Sequence, residues 1–444
     1  MNYTKIRELG SGGFGVVYQV ADEIGNSFAL KEFRPSPDVQ AVIAKGGVAL
    51  ESLKARFRRE VKYQSQLKSD NIVRIFDHNL DAPNPWFVME LALGTLQTDL
   101  LADRSLGGNP SKALFDILGG LDDLHKRGIV HRDLKPVNVL KLQNVDGSFR
   151  YAISDFGLIS AIASETTTLT QTGHGGGTPI YAAPELITKF KYATSVADIY
   201  SVGAILHDIF DGGPRTPYLE LTADGPCREI IEKCTKTNPG RRYADVASLR
   251  ADIYSALAGQ TLSFSSDVEK NLVDLLNLGN ALSSGEWDRV YSFLSKEDTT
   301  AQMRKNVFAA LTTDHINQLA EDSSELLNAL GIEFSDYVRE QSHDFNYCDV
   351  LADKIELLHD AGSVALKAHA LVTLLIMGIG HNRWFVERKF ARLAGPFMDA
   401  HVAERIQMDA VADNIPLADY LDRLENSINI TRKDLHNLLG KVKA

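Results

Sequence analysis

The sequence predicts an α+β chain in which a small strand-rich lobe, a helical lobe and an all-helical C-terminal domain follow one another. Up to about residue 90, the apolar residues form short runs that glycine, asparagine, aspartate and proline separate as turn signals. From about Thr95 onward, the apolar residues recur at helical spacing. A small polar stretch at Gly259–Ser266 then breaks the pattern. We therefore predict one domain over residues 1–259 and an all-helical regulatory or interaction domain over 260–444.

The first lobe should contain one helix among its strands. The segment from Leu50 to Leu67 has helical periodicity and is dense in arginine and lysine. Two short apolar pieces, Val137–Leu142 and Tyr151–Ser154, predict strands within the otherwise helical second lobe.

The C-terminal domain carries amphipathic helix patterns and no convincing strand pattern. Two sets of apolar residues have the spacing of one helix face: Leu417, Tyr420, Leu421, Leu424 and Ile428, and Val350, Leu351, Ile355 and Leu358. Because no fixed-period repeat is present, a helical bundle is favoured over a solenoid.

The charge is distributed unevenly along the chain. The 444 residues include 58 acidic and 47 basic side chains, a net charge of −11. Residues 260–444 hold 28 acidic and 18 basic groups, whereas residues 1–259 are nearly balanced. Since nucleic-acid binders present a basic face to phosphates, we expect no nucleic-acid partner. The acidic domain favours a basic protein partner or an intramolecular contact with the run Lys54–Lys62, and a homo-oligomeric contact through residues 260–444 is a further alternative.

Cysteine content and hydropathy point to a cytoplasmic protein. Cys227, Cys234 and Cys348 are too few and too scattered for a disulfide framework or a CxxC-type zinc site. The N-terminal residues lack the apolar core of a signal peptide. The most apolar run, Ala368–Gly380, is shorter than the roughly 20 residues of a membrane helix. We therefore expect a cytoplasmic chain with no membrane association.

A GxGxxG motif at Gly10, Gly12 and Gly15 is the first candidate site. This motif is weak by itself, and an ordinary glycine-rich turn is the alternative. The strand-like run Val16–Val20 argues against a dinucleotide-binding site, in which a helix follows the glycines. It favours a glycine-rich flap between two strands, where missing Cβ atoms let the backbone approach phosphates.

Lys31 and Glu60 each have a functional and a neutral interpretation. Lys31 lies in the middle of the strand-like run Phe28–Phe33, where it is either solvated or a cation beside the phosphates beneath the flap. Glu60, on the predicted helix, is either a surface partner of a neighbouring turn or the carboxylate that holds Lys31.

The decisive stretch reads HRDLKPVN and ends at Asn138. It brings Asp133, Lys135 and Asn138 into one loop, and phosphoryl transfer depends on such positioning and charge neutralisation. Asp155, in an Asp-Phe-Gly tripeptide, adds a second carboxylate, a ligand type that Mg²⁺ prefers. An Ala-Pro-Glu segment ending at Glu185 follows in order.

With these motifs in this order, residues 1–259 resemble a eukaryotic-type (Hanks-type) Ser/Thr protein kinase of the bacterial kind. The resemblance implies a bilobal protein-kinase fold and transfer of the γ-phosphoryl group of ATP to Ser and Thr hydroxyls of protein substrates. The implied cofactors are ATP with Mg²⁺ or Mn²⁺. The residues that would bind ATP are Gly10, Gly12, Gly15, Val17, Ala29, Lys31, Met89, Glu90 and Leu91.

The resemblance also assigns catalytic roles. Asp133 would orient the substrate hydroxyl and accept its proton, and Lys135 would stabilise the transferred phosphoryl group. Lys31 would contact the ATP phosphates while paired with Glu60. The metal ligands would be Asn138 and Asp155.

Control by phosphorylation is a further implication of the resemblance. Arg132 directly precedes Asp133, which in this family accompanies phosphorylation of the loop after the Asp-Phe-Gly tripeptide. Thr170 and Thr172 resemble the threonines that bacterial members phosphorylate, so we predict autophosphorylation there. A merely flexible polar loop is the alternative. The family also implies a structural ion pair between Glu185 and Arg242.

One feature departs from the family pattern. Only about sixteen residues separate the helix predicted to end near Phe210 from the one starting near Cys227. The helix that often docks substrates there is therefore expected to be truncated or absent. Since all catalytic positions are retained, an active kinase is preferred. The alternative is a nucleotide-sensing scaffold or pseudokinase-like module whose helical domain is the effector.

The tract Gly380–Phe390 is cationic and aromatic within the acidic domain. Either it docks a phosphorylated loop or an acidic partner, or it forms a helix that buries Trp384, Phe385 and Phe390 with solvated charges opposite.

Overall fold

The computed structural model describes residues 2–156, 179–188, 193–258 and 263–442. The chain divides into two compact units, Met1–Leu257 and Ala258–Ala444. The sequence places the corresponding boundary after residue 259.

A five-stranded antiparallel sheet opens the first unit, in the order β1-β2-β3-β5-β4. Its strands are β1 (Thr4–Ser11), β2 (Gly15–Ala21), β3 (Ser27–Phe33), β4 (Ile75–Asn79) and β5 (Trp86–Met89). The central strand β3 places Lys31 opposite Val17 of β2 and Phe87 of β5. Strands on both sides therefore fix the backbone of this lysine.

Two helices accompany the sheet, α1 (Pro37–Ala44) and α2 (Leu50–Gln64). Helix α2 is the one that the sequence predicts, and its Phe57 ring lies 5.6 Å from the rings of Phe33 and Phe87. Helix α1 was not predicted, although its start carries a recognisable signal. Ser36 caps the helix by accepting a hydrogen bond from the Val39 amide, and proline occupies the first helical position.

The second lobe of this unit is mainly helical. A small sheet, β6 (Gly94–Thr95), β7 (Val139–Gln143) and β8 (Phe149–Ile153), contains the two strands that the sequence predicts there. Its helices are α3 (Leu96–Ala102), α4 (Ser111–His125), α5 (Glu185–Thr188), α6 (Val196–Phe210), α7 (Arg228–Cys234) and α8 (Val246–Ala258). Strand-rich and helical lobes thus follow in the predicted order.

Helix α6 ends where a glycine reverses the chain. Gly212 has a φ of +68°, and its amide donates to the carbonyl of His207 at 2.7 Å. The following residues 211–227, all of which the structure describes, contain no helix. The predicted loss of the helix in this region is confirmed.

The second unit is built from helices throughout its described residues. They are α9 (Asp267–Asn277), α10 (Ser284–Leu294), α11 (Ala301–Ala310), α12 (Thr313–Asp322), α13 (Ser324–Glu340), α14 (Tyr347–Ala361), α15 (Val364–His381), α16 (Trp384–Leu393), α17 (Ala400–Ala412), α18 (Leu417–Ile428) and α19 (Asn437–Gly440). Both amphipathic patterns fall on helices, α14 and α18, and the three leucines and the isoleucine of α18 are buried as predicted.

Helix α15 is the centre of this unit. Among the described residues it is the one helix long and apolar enough to cross a membrane, and 61% of its apolar window is buried inside the unit. It packs against α13, α14, α16, α17 and α18.

The tract after α15 forms helix α16, but its charges are not solvated. Phe390 is fully buried, as predicted, whereas Trp384 and Phe385 are half-buried. Glu387 is fully buried and Lys389 is 4% exposed, so the expected solvated face is wrong. Carboxylates of α14 face the cations of the tract: Lys389 Nζ binds Asp353 at 2.7 Å, and the guanidinium of Arg383, just before α16, binds Asp349 at 2.6 and 2.5 Å.

Candidate active site

A buried carboxylate on α6 shapes the loop that carries the HRD motif. Asp198 accepts hydrogen bonds from the backbone amides of His131 and Arg132, each at 2.8 Å, and lies 2.8 Å from Nε2 of His125. Desolvation raises the pKa of Asp198, but the contact with His125 and the amide bonds outweigh it and hold the pKa below its ordinary value. The same bonds stabilise Arg132 at a φ of 66°.

His131 connects this loop to the strand end that precedes Asp155. Its Nε2 lies 3.0 Å from the carbonyl oxygen of Ser154, and its Nδ1 accepts the Asp133 amide at 3.3 Å. Burial lowers the pKa of His131, which favours the neutral ring with Nε2 as donor. The imidazole therefore holds two chemically important segments together.

Asp133 lies in a small polar network with the other motif residues. Its carboxylate accepts hydrogen bonds from Lys135 Nζ at 2.9 and 3.1 Å and from Asn138 Nδ2 at 3.2 Å. Desolvation raises the pKa of Asp133 despite the opposing charge of Lys135. A carboxylate of raised pKa is a better proton acceptor at neutral pH than an ordinary aspartate.

Asn138 is oriented so that its side-chain oxygen remains available. Its Nδ2 also donates to the Asp133 carbonyl at 2.8 Å, which commits the nitrogen side of the amide. The main-chain carbonyl oxygen of Asn138 accepts a hydrogen bond from the Ser154 amide at 2.8 Å, so the backbone next to Asp155 lies beside Asn138. The oxygens of Asn138 and Asp155 are hard ligands of the kind that Mg²⁺ takes, with phosphate and water oxygens filling further positions. These residues fit the implied metal.

Among the described residues, Lys31 forms an ion pair with Asp155 and none with Glu60. Desolvation opposes the charge of Lys31, but Asp155 and Glu60 together raise its pKa. Glu60 is only 3% exposed, and burial raises its pKa to about 8 although Lys31 opposes this shift. The expected Lys31–Glu60 ion pair is not present in this structure, and Asp155 is the partner of Lys31 instead.

The glycine motif forms a turn between β1 and β2, as a flap requires. The Gly12 amide donates to the Gly15 carbonyl at 2.8 Å. A Cβ on Gly15 would lie 2.9 Å from the carbonyl oxygen of Glu32, so only glycine fits there. At Gly10 and Gly12 a Cβ would meet no atom within 4 Å, which leaves open space along the flap. This space suits a phosphate chain approached by backbone amides.

The predicted adenine-binding residues lie where β3 and β5 meet. Ala29 pairs with Met89 across these strands, and both are buried. Val17 and Leu91 are partly buried against the same core. The Glu90 side chain accepts hydrogen bonds from the Arg74 amide at 3.0 Å and from Arg150 at 2.5 Å, which fixes the chain directly after β5.

Other predicted residues are placed as follows. Arg242 donates to the Glu185 carboxylate at 2.7 and 2.8 Å, so the expected ion pair is present. Thr170 and Thr172 lie outside the described residues. Two contributors escaped sequence reasoning, His125 beside Asp198 and Arg215 within the loop after α6. A lone histidine at a helix end and a lone loop arginine carry no distinguishing pattern.

The comparisons with known proteins agree with this arrangement. Residues 3–242 match the family model described as the protein kinase domain. Over 273 residues the chain is 32% identical to the serine/threonine-protein kinase PknL of Mycobacterium tuberculosis, covering 55% of this chain and 63% of PknL. It is 29% identical to the probable serine/threonine-protein kinase PknB of Lactococcus lactis, covering 63% of this chain and 46% of PknB. The chain thus matches less than two thirds of either relative's length.

Among solved structures, a crystal structure of the PknI kinase domain of Mycobacterium tuberculosis, a cysteine-to-alanine mutant, matches with a TM-score of 0.42 and 26% identity. The match covers 58% of this chain and 96% of that chain.

Proposed function

The chain belongs to the protein kinase domain family, and from this premise we propose that it is a Ser/Thr protein kinase. It transfers the γ-phosphoryl group of ATP to Ser and Thr hydroxyls of protein substrates. The observation that carries the proposal is the network in which Lys135 and Asn138 both bind the Asp133 carboxylate. A domain that only binds nucleotide would not need a base, a cation and an amide in this arrangement.

Each residue contributes positioning or charge. Asp133 accepts the proton of the substrate hydroxyl, and its raised pKa suits this task. Lys135, 2.9 Å from Asp133, neutralises charge on the group in transfer. Asn138 and Asp155 would hold Mg²⁺, which supplies charge neutralisation on the ATP phosphates when bound. Lys31, which lies beside Gly15 of the flap, would contact those phosphates.

Replacement of the proton acceptor tests this proposal. Asp133→Asn should abolish transfer of labelled phosphate from ATP to a generic substrate such as myelin basic protein, because the amide cannot accept the proton. ATP affinity, measured by calorimetry, should stay close to that of the parent. If the parent itself transfers no phosphate, the kinase proposal is wrong. If Asp133→Asn abolishes transfer but preserves the cellular role, the scaffold alternative gains.

Autophosphorylation at Thr170 and Thr172 is the second part of the proposal. Its support is Arg132, whose position before Asp133 accompanies such control in the family. Incubation of the parent chain with ATP and Mg²⁺ should yield phosphopeptides at these threonines, and Asp133→Asn should yield none. Bare threonines in an active enzyme would contradict it.

We propose a cytoplasmic location for the protein. We also propose that its acidic helical domain contacts the basic helix α2. The support is charge complementarity, since Arg59 and Lys62 of α2 are exposed. The Arg59→Glu, Lys62→Glu double variant of the full chain should alter the radius of gyration or the oligomeric state at low salt, and high salt should produce the same change in the parent. Identical behaviour of parent and variant at every salt concentration would exclude this contact.

A further inference from the structure

An open groove lies in the second unit, where the end of helix α17 meets the start of helix α18. The turn between these helices completes its walls together with Leu438, Lys441 and Val442, and its volume is about 880 Å³. This volume lies within the range of roughly 300–1,000 Å³ that is usual for binding pockets. The groove can therefore hold several side chains of another molecule.

Hydrogen bonds fix the backbone around this groove. Asn414 has a φ of +53°, and the Ile415 amide donates to the Ala410 carbonyl at 2.8 Å, so α17 ends in a tight left-handed turn. On the opposite wall, Gln407 Nε2 donates to the Leu438 carbonyl at 2.9 Å. Because the walls are already ordered, a partner that binds here has little conformational entropy to remove from them.

The lining of the groove is mainly apolar, and part of it is exposed. Eight of the twelve lining residues are alanine, valine, leucine, isoleucine or proline. Val411 is 79% exposed, and Met408, three positions earlier on the same face of α17, is 65% exposed. Scattered apolar side chains are ordinary on a protein surface, whereas a contiguous apolar patch beside a concave site marks a binding surface.

Carboxylates surround this apolar lining. Residues 400–422 hold five acidic side chains and one basic side chain, Arg405, which pairs with Asp409 at 2.7 Å. Asp419 lines the groove, is exposed and forms no ion pair with any residue that the structure describes. Asp413, beside the turn, is half-exposed and lies 3.6 Å from Arg339. The surface therefore favours a ligand that brings positive charge next to apolar side chains.

We propose that this groove docks a basic amphipathic helix of a partner protein. Apolar side chains on one face of that helix would pack against Val411, Leu417 and Leu438. Lysine or arginine side chains at the edges of the same face would meet the carboxylates of Asp413 and Asp419. The inference does not rest on the proposed kinase function, because every residue of the groove belongs to the second unit.

Helix α2 of this chain is basic, but it does not match this ligand. Its apolar residues Leu53, Phe57 and Val61 are buried inside the first unit, so they are not available as anchors for a groove. The partner must therefore present its own apolar face, and the electrostatic contact proposed for α2 is a separate one.

Fluorescence anisotropy of a labelled peptide with the full chain tests the inference. The probe is a peptide of about fifteen residues in which leucines follow helical spacing and lysines fill the other positions. It should bind the parent, and the Val411→Ser, Asp419→Asn double variant should bind it roughly tenfold more weakly, because an apolar contact and a charge are lost. Since both side chains are exposed, the melting temperature should stay close to that of the parent.

A matched variant and a second probe separate the groove from the acidic surface in general. The Val268→Ser, Asp267→Asn double variant removes an exposed valine and an aspartate in the first turn of α9, as Asp419 is in the first turn of α18. The two double variants change the net charge equally, and the α9 variant should keep the parental affinity. A peptide with glutamate in place of lysine should bind the parent at least roughly tenfold more weakly than the lysine peptide.

Four results would overturn the inference. The parent could fail to bind the lysine peptide, or both double variants could bind it with the same affinity, which would indicate general charge attraction. Equal affinity for the glutamate peptide would make Lys441 the selecting group and the ligand an acidic one. If the parent is dimeric in analytical ultracentrifugation and only the Val411→Ser, Asp419→Asn variant is monomeric, a second copy of this chain occupies the groove.

Discussion

Both units of this protein bury charged side chains, but they satisfy those charges differently. In the first unit, Lys31 is shared by the carboxylates of Asp155 and Glu60, and only Asp155 pairs with it. In the second unit, cations of α16 and its start lie against carboxylates of α14: Arg383 binds Asp349, and Lys389 binds Asp353 at 2.7 Å. The first arrangement leaves a second buried carboxylate without an ion pair to the lysine, whereas in the second the carboxylates of α14 are in direct contact with the cations, and Lys389 binds Glu356 as well.

This difference separates the buried charges that serve chemistry from those that stabilise the fold. In the first unit, burial raises the pKa of Glu60 to about 8, raises that of Asp133 and lowers that of His131. Perturbed groups around an open flap mark a functional site. Between α14 and α16, the opposed charges lock two helices in register. Removing a charge should therefore cost activity in the first unit and stability in the second.

The largest expected effect is the loss of Arg383. Arg383→Met leaves the Asp349 carboxylate, whose side chain is fully buried, without its guanidinium partner. Breaking a buried pair in this way should lower the free energy of unfolding by about 3–5 kcal/mol, as measured by urea denaturation of the full chain. The proposed kinase activity should persist at low temperature, because no residue placed at the candidate site is altered.

Two companions sharpen this experiment. Adding Asp349→Leu to Arg383→Met should recover most of the lost stability, because no unpaired charge then remains. Arg405→Met, which removes an arginine 47% exposed and paired with Asp409 within α17, should cost less than about 1 kcal/mol. Equal losses for Arg383→Met and Arg405→Met would contradict the structural role of the buried pair.

Glu60→Gln should lower activity and leave stability nearly unchanged, which is the opposite of the result expected for Arg383→Met. With a pKa of about 8 against an ordinary value of 4.5, Glu60 is protonated in the folded chain at pH 7, and glutamine is close to it in shape. The melting temperature at pH 7 should therefore change little. Activity should fall roughly 10- to 100-fold, because glutamine cannot ionise and so cannot bind Lys31 when Asp155 is engaged as the proposed metal ligand.

The raised pKa of Glu60 should also make the stability of the chain depend on pH. Between pH 4.5 and about 8 the folded chain binds the Glu60 proton and the unfolded chain releases it, so the contribution of Glu60 to stability falls as pH rises. Glu60→Gln should remove this decline. A large loss of stability at pH 7 with unchanged activity would place Glu60 among the structural charges instead.

The sequence predicts the catalytic unit better than the details of its charges. The loop from Asp133 to Asn138 is recognisable because its chemistry needs fixed residue types at fixed spacing. The partner of Lys31 is not, because the choice between Glu60 and Asp155 depends on burial and on distances across the fold. Helix α1 escaped prediction because eight residues give little periodicity, although Ser36 and its following proline mark its start.

The helical unit was predicted in kind but not in its polar core. Periodicity identified α18 because one face is apolar and the opposite face polar. The same reasoning assigned Lys389 to solvent, since a charged residue on a helix is usually exposed. Its burial follows from Asp353, 36 positions away in the sequence, and a pattern within one helix cannot report a carboxylate on another.

The smallest expected effect concerns Lys354, a buried cation of the second unit that is held by carbonyl groups. Its Nζ donates to the carbonyls of Phe308 at 2.8 Å and Ala309 at 3.1 Å, at the end of α11. Burial lowers its pKa from 10.5 to about 7. Between these values the unfolded chain binds the proton and the folded chain does not, so stability should rise with pH, by about 1 kcal/mol from pH 7 to 8.

Lys354→Met keeps the length and the apolar packing of the side chain and should flatten this rise, as urea denaturation at several pH values will reveal. Lys270→Met, which alters a lysine 54% exposed and paired with Asp274, is the matched control and should keep the parental slope. If the parent shows no rise above pH 7, the Lys354 amine stays charged inside the helical unit. The carbonyls of α11 would then stabilise a buried cation as fully as the carboxylates of α14 do. Every buried cation considered in this unit would then stay charged in contact with its structural partners, in contrast to the perturbed groups around Lys31.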